Sequence, residues 1–462
     1  MVTYSPEREN FLIKKLLLPT LIEQSITAVI GLLATMMVSN VGDYAVSGVS
    51  LVDQINFLAI SLFNALATGA TVIIAQYTGS GKARDAGNTA SQSVLICTSL
   101  AALLGLFTVI FSRPLLNVLY GSAERQVIEA GRLYLIFSGI SYPFFGLYAS
   151  SAGIMRASGN ARTPMLTSVF SNIVNLIVSF ILIFGAGLGV LGVSIGILVS
   201  RILSGFLGYY TAKRFTDSVP FSGIARRFDR TALFPVLKVS IPISIDGVVF
   251  QAARIFMGVL MSTMGTISLH ANAIANSLNN LTNIPGNAFQ IVAVTIVGQA
   301  YGSGKHLSTK KLMFKLCLYA TIAHLLNYIP FFPLLNTLIG LYRPTAETVV
   351  LVKQLIYTAC IVAPFFWPCS FVLPQSLRSV GDARATMLIS IVSLLVLRVA
   401  GAWFFGIYLG WGIFGVWTGM FLDWAGRAIG FLLRAALNFW NGREKPVDYD
   451  PVDIQEAELE GI

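Results

Sequence analysis

The sequence predicts an all-α membrane protein: twelve transmembrane helices in two six-helix bundles related by a pseudo-twofold axis along the membrane normal. Three observations predict it. The chain is apolar and poor in charge. Its apolar residues gather into stretches of membrane-spanning length. Its second half rewrites its first.

The composition comes first. Of 462 residues, 31 are Lys or Arg and 21 are Asp or Glu, so 11% are charged while 55% are hydrophobic. A soluble domain carries about 25% charge. A soluble chain this long would divide into two or three domains with charged surfaces, and there is too little charge here to cover them. This excludes a soluble enzyme and argues against a disordered or disulfide-built chain. The four cysteines, Cys97, Cys317, Cys360 and Cys369, lie in apolar stretches without a CxxC pair. They read as small buried hydrophobes.

A bilayer core about 30 Å thick needs roughly 20 apolar residues per helix. Twelve such stretches run over 15–39, 46–76, 88–112, 130–152, 163–186, 190–211, 236–262, 269–299, 311–337, 351–376, 385–408 and 411–438. The runs are continuous and lack the alternation of a β-barrel strand. Lysine and arginine then orient them. The termini and the loops after even-numbered spans hold 22 of the 31 basic residues, and the opposite loops hold 5. This bias predicts a multi-pass protein of the plasma membrane with both termini cytoplasmic. It also accounts for the net charge of +10, which removes nucleic acid as its explanation.

The duplication is read from offsets. Lys15, Pro19 and Glu23 recur 223 residues later as Lys238, Pro242 and Asp246. The same offset carries Asn56 to Asn279, Asn64 to Asn287, Gln76 to Gln299, and Gly79-Ser80-Gly81-Lys82 to Gly302-Ser303-Gly304-Lys305. At 222, Arg156, Gly159, Ala161, Arg162 and Met165 recur as Arg378, Gly381, Ala383, Arg384 and Met387. Each repeat holds an even number of spans, so the second enters the membrane in the same sense as the first. The expected organisation is a bundle over 1–211, a cytoplasmic linker over 212–235, a second bundle over 236–440 and an acidic tail over 441–462. A cavity between two such bundles suits alternating access.

Intramembrane charge is costly and is a functional hypothesis by default. Glu23, Asp53, Asp246 and Asp423 are the acids within spans. Glu23 and Asp246 each follow a proline by one turn. They are candidates for ion coupling, or for structural pairing with Lys15 and Lys238. Asp53 has no such duplicate and is the third ion-coupling candidate. Arg254 sits mid-span, where it would bind an anionic group or pair with Asp246 or Asp53. Asp423 and Arg427 form an i, i+4 pair. With Arg201 and Arg398, they read as structural. Asn272, Asn276, Asn279, Asn280, Asn283 and Asn287 recur at helical steps along one stretch, and Asn56 and Asn64 echo them. Such a stripe would line a wet cavity or bond between helices, and Pro285 within it predicts a bend. Phe365 and Trp367 lie in a Pro-Phe-Phe segment suited to stacking on flat cations, or simply to packing.

Two phosphate signatures fail. Gly79-Ser80-Gly81-Lys82 has Gln76 and Ala83 where a Walker loop needs Gly and Ser or Thr. Gly187, Gly189 and Gly192 match a dinucleotide fingerprint only by letter, without a preceding strand. His270, His306 and His324 have no metal-ligand spacing. No ATP-driven or enzymatic chemistry is expected, and no metal or cofactor beyond a coupling ion.

The duplicated Gln-x-x-Gly-x-Gly-Lys segments and Arg-x-x-Gly-[Asn/Asp]-Ala-Arg segments, with the Asn175 to Gly185 stretch, resemble the multidrug and toxic compound extrusion (MATE) family of secondary transporters. The resemblance covers nearly the whole chain. It implies export of amphipathic organic cations or similar xenobiotics in exchange for Na⁺ or H⁺, with Asn175 near the coupling site. Small amphipathic molecules and the bilayer are the expected partners, and a monomer the expected state. The chain departs from the family at the acids: where members carry aspartates in spans 1 and 5, it has Ala34 and Ser179. The expectation is an antiporter. A flippase for lipid-linked saccharides, with a wide basic cavity around Arg254, and a non-transporting scaffold are its rivals.

Overall fold

The computed structural model describes residues 6–120, 124–216, 218–225 and 227–437. The acidic tail lies outside them. Among the described residues every regular element is helical. The first six spans are Pro6–Ser39, Asp43–Ser80, Ala83–Ile110, Arg125–Ala157, Arg162–Phe180 with its extension Ile181–Gly185, and Gly189–Arg214. A short helix, Ser112–Tyr120, lies between spans 3 and 4. The second six begin with span 7 at Arg230–Ser262. Span 8 is Thr266–Thr282 plus Ile284–Gly302, and span 9 is His306–Gly340. Span 10 runs from Ala346 to Ser379, span 11 from Ala383 to Tyr408, and span 12 is Gly412–Ala436.

Ten of these helices, and the bent pair of span 8 as an eleventh, are long and apolar enough to cross a membrane. Span 12 falls short of that apolar measure, because Asp423 and Arg427 sit in its middle. Span 7 starts six residues earlier than the apolar pattern suggested. Asp229 caps it, accepting from Thr231 N and Ala232 N. Those bonds, Thr231 first and Asn88 next, hold the exposed Asp229 carboxyl down at about 2. The connection over 215–229 is correspondingly short. It is tied to span 3 where Gln92 Nε2 donates to Arg227 O at 2.7 Å and Asn88 Nδ2 to Asp229 Oδ2 at 2.7 Å.

Span 8 breaks by 52° at Asn283. Pro285 has no N–H, and its ring displaces the carbonyl four residues back. The loosened carbonyls of Leu281 and Thr282 accept from Asn327 Nδ2 of span 9, at 3.3 and 3.2 Å. A buried partner is what a broken helix needs at this depth. Spans 5, 10 and 11 contain π-turns. Ile181–Gly185 in span 5 and Phe404–Tyr408 in span 11 are 223 residues apart. A further π-turn, Leu394–Val399, is peculiar to span 11. A π-turn takes up one extra residue, and here the repeat offset passes from 222 to 223.

The bundles meet at one end. The end where span 1 begins and span 12 finishes is called the base, the other the mouth. At the base, Gln76 Nε2 of span 2 donates to Ser379 O of span 10, and Gln299 Nε2 of span 8 donates to Ala157 O of span 4, both at 2.7 Å. The two bonds are copies of each other across the repeat. Between them, a Cβ on Gly79 would stand 2.1 Å from Gln299 O, and one on Gly302 2.0 Å from Gln76 O. Only glycine permits that approach. Lys315 Nζ of span 9 also reaches Glu9 Oε1 of span 1 at 2.8 Å. Toward the mouth the pattern changes. The second half of span 8 packs on spans 1 and 2 as well as on spans 9 and 10, while its first half packs on spans 7, 9, 10 and 12 of its own bundle alone. The bundles are joined at the base, and spans 2 and 7 stay packed on each other above it, Gly69 against Ser240 and Gly247 against Ser61.

Candidate functional site

The N-terminal bundle encloses a cavity of about 320 Å³ between spans 1, 2, 4, 5 and 6. Asp53 is the one acid among its lining residues, which also include Ala34, Asn175 and Ser179. Ala34 and Ser179, the positions at which the family resemblance implies aspartates, therefore share this cavity with Asp53. Asp53 Oδ1 accepts from Tyr134 Oη at 3.1 Å and Asn56 Nδ2 at 3.4 Å. Its Oδ2 has no hydrogen bond among the described residues, which leaves the carboxylate lone pairs for a proton or a cation. Asn56 is buried, donates to Ser138 Oγ at 3.3 Å and accepts from Tyr142 Oη at 2.8 Å. Arg201 donates to Ser141 Oγ at 2.8 Å and lies 5.3 Å from the Phe145 ring. Asn175 accepts from Ser179 Oγ at 3.2 Å, one turn before the π-turn of span 5. The sequence pattern marks Tyr142 only as an aromatic beside Pro143 and does not single out Tyr134 or Ser138. Their only signal was being hydroxyls at helical spacing within span 4.

Glu23 and Asp246 lie elsewhere. Arg156 Nη2 grips both Glu23 oxygens at 2.9 and 3.0 Å, and Arg378 Nη2 meets Asp246 Oδ2 at 2.6 Å. The partners are the paired arginines of the repeated motif after spans 4 and 10, where the sequence pointed to Lys15 and Lys238. Each acid thus ties the first span of its bundle to the fourth.

The asparagines do not act as one stripe, because the break in span 8 divides them. Asn276 donates to Asn272 Oδ1 at 2.9 Å, and Asn272 Oδ1 also accepts from Trp417 Nε1 at 3.0 Å. Asn279 is buried and accepts from Thr282 Oγ1 at 3.4 Å. Asn283 is buried at the break, with an Oδ1 that has no partner among the described residues. Asn287 accepts from Gln290 Nε2 at 3.1 Å, and Asn64 is exposed. Phe365 and Trp367 face opposite ways. Phe365 is 72% exposed, whereas Trp367 is buried against His324, with ring centroids 5.1 Å apart.

The C-terminal bundle gathers charge around a buried acid. Asp423, fully buried, is met by Arg427 Nε at 2.8 Å and Arg398 Nη1 at 3.6 Å, and accepts from Ser393 Oγ at 2.8 Å. Phe250 of span 7 lies under both guanidiniums, 5.3 Å from Arg398 and 5.8 Å from Arg427. Arg254 follows Phe250 by one turn. It is exposed and lies 5.9 Å from the Phe57 ring of the other bundle. The pairing of Arg254 with Asp246 or Asp53 does not occur; among the described residues it has no ion pair. Close by, Gln251 Nε2 donates to Gln54 Oε1 at 3.1 Å, another bridge between the bundles.

Comparisons with known proteins agree with this architecture. The MatE family model matches twice, over residues 19–181 and 242–404, again 223 apart. The chain is 24% identical over 447 residues to the uncharacterized transporter YisQ of Bacillus subtilis, covering 94% of this chain and 96% of YisQ. It is 24% identical over 430 residues to the probable multidrug resistance protein NorM of Thermotoga maritima, with 90% of each covered. A solved multidrug resistance MATE transporter in an outward-facing conformation superposes with a TM-score of 0.84 at 21% identity, covering 92% of this chain and 96% of that one. A Pyrococcus furiosus transporter of the MOP superfamily, described as having a binding pocket of reverse polarity, superposes at 0.76 and 22% identity, covering 93% and 94%. With the family model on both halves and the twelve-helix fold shared end to end, the chain belongs to the MATE family of multidrug transporters.

Proposed function

We propose that the chain is a secondary exporter of the plasma membrane, its base and both termini in the cytoplasm, moving amphipathic organic compounds, cationic ones included, outward in exchange for Na⁺ or H⁺. Asp53 carries this reading. Among the described residues it is the one acid lining the N-bundle cavity, and one of its oxygens has no hydrogen-bond partner there. A cation or proton taken up there would cancel a charge that is costly to hold in the membrane. That gain differs between an open and a closed cavity, which is the differential binding that an exchange cycle needs. The basic bias toward the base supports the orientation. The mouth would then face outward, with the contacts at the base as the pivot about which the bundles rock.

Efflux of cationic dyes from energised vesicles, under a Na⁺ or a pH gradient, tests the reading. Dye extrusion under one of the two gradients is expected. If neither drives it, the exporter assignment fails. A flippase for lipid-linked saccharides has one observation in its favour, the exposed and unpaired Arg254 between the bundles. It would leave dye efflux absent and gain lipid translocation in the same vesicles.

A further inference from the structure

We propose that the C-terminal bundle holds a binding site for the anionic headgroup, carboxylate or phosphate, of an amphipathic ligand, built by Arg254, Arg398 and Arg427 around Asp423. It extends the exporter reading by naming a ligand class for the second bundle.

Charge is the first argument. Asp423 is shared between Arg398 and Arg427, and Arg254, one turn beyond Phe250, adds a third guanidinium whose printed contact is the Phe57 ring. Arginine cannot shed its proton to relieve the excess, so two positive charges remain at membrane depth, where charge is paired or meets a ligand. Donor inventory is the second. Arg427 is 4% exposed, its Nε is spent on Asp423, and among the described residues its Nη2 has no hydrogen-bond partner. A buried guanidinium nitrogen left unsatisfied costs more than a satisfied one, and a bidentate anion is its natural complement.

Position is the third. At the offset of 223, Arg254 stands where the first repeat has Gly31, and Arg398 where it has Asn175. Gly31 and Asn175 both line the N-bundle cavity. The arginines therefore occupy the second repeat's copy of that cavity wall, Arg398 set there by the π-turn peculiar to span 11. The site runs from buried Arg427, across Phe250, to exposed Arg254, which stands over the Phe57 ring of the other bundle. Phe250 and Phe57 offer rings to the apolar part of the ligand beside cations that grip its head.

The test uses the full chain in phosphatidylcholine vesicles, with no gradient and two probes sharing one fluorophore: dansylglycine, an anion, and dansylcadaverine, a cation. The wild type is expected to bind the anion about tenfold tighter than the cation, and Arg254→Gln to erase that preference while Arg254→Lys keeps most of it. Arg254 is exposed, so the variants should melt as the wild type does. Equal binding of the two dyes, or a preference that survives Arg254→Gln, overturns the proposal. Competition then identifies the source. Displacement of dansylglycine by phosphatidylglycerol assigns the site to a lipid phosphate, and displacement by benzoate alone assigns it to a soluble carboxylate. Displacement by neither means an adventitious apolar contact and overturns the site. Since binding is read without transport, a failed efflux assay leaves this result untouched, and the reverse also holds.

Discussion

The two bundles are one frame filled in two ways. What is copied faithfully is mechanical: the carboxylate–arginine tie between first and fourth spans, the glutamine bonds and glycine contacts at the base, and the π-turns of spans 5 and 11. What is not copied is the polar interior. Asp53 becomes Asn276, Gly31 becomes Arg254 and Asn175 becomes Arg398. One bundle keeps a cavity with one acid, the other a basic cluster around a buried acid. Duplicated structure fixes where groups stand, and each copy's own residues decide what they bind. A transporter with an acid site in one lobe and a basic site in the other has two addresses for charge rather than one.

The comparison breaks most heavily at Asp423. Asp423→Asn strands Arg398 and Arg427 without their carboxylate, and removing one partner of a buried pair typically costs about 3–5 kcal/mol. A fall of that size in unfolding stability is expected, whereas Asp53→Asn should leave stability near wild type. Equal melting of the two variants would erase the distinction drawn between the bundles. At the base, Gly302→Ala forces a Cβ against Gln76 O, and overpacking of this kind costs about 1–3 kcal/mol. Labelling of a cysteine placed at the base should rise, and Gly79→Ala should do the same, since the contact is symmetric.

Asp53→Asn sharpens the functional side. Gradient-driven efflux should fall by about tenfold or more, roughly 1.4 kcal/mol on the rate-limiting barrier, with expression unchanged. Normal efflux by this variant would remove Asp53 from the cycle. The smallest effect is expected from Gln76→Leu or Gln299→Leu. Inter-helix hydrogen bonds in membranes average about 0.6 kcal/mol and reach about 1.7. Each variant should shift the distance distribution between spin labels across the base by a modest and equal amount. Unequal shifts would show that the two copies of the contact have diverged.

The helices and their duplication were legible because both are local or periodic: span length, charge bias and constant offsets survive in one dimension. Asp53 was legible as an acid without a duplicate. The partners of Glu23 and Asp246 were not, because Arg156 and Arg378 lie 133 and 132 residues away while lysines lay nearer in sequence. The asparagine stripe assumed a straight helix, and the 52° break at Asn283, two residues before Pro285, divided it. Phe365 and Trp367 were within reach of the sequence, since residues two apart on a helix point about 200° apart. Asp423 and Arg427 were legible as a pair, but the alignment of Arg398 in the repeat was hidden by one residue. The extra position that the π-turn Leu394–Val399 takes up disguises the match of Arg398 to Asn175, and nothing short of backbone geometry exposes it.

The paired glutamine contact at the base has a further meaning. Each half reaches the other through the same residue acting on the same kind of carbonyl, so the surface is self-complementary, as in a twofold dimer where patch i meets patch j and j meets i. A single six-helix half already holds both the donor and the acceptor of this recognition. Two such halves, cut apart in the connection over 215–229, carry the information to find each other, and the linker supplies proximity where the glutamines and glycines supply the address.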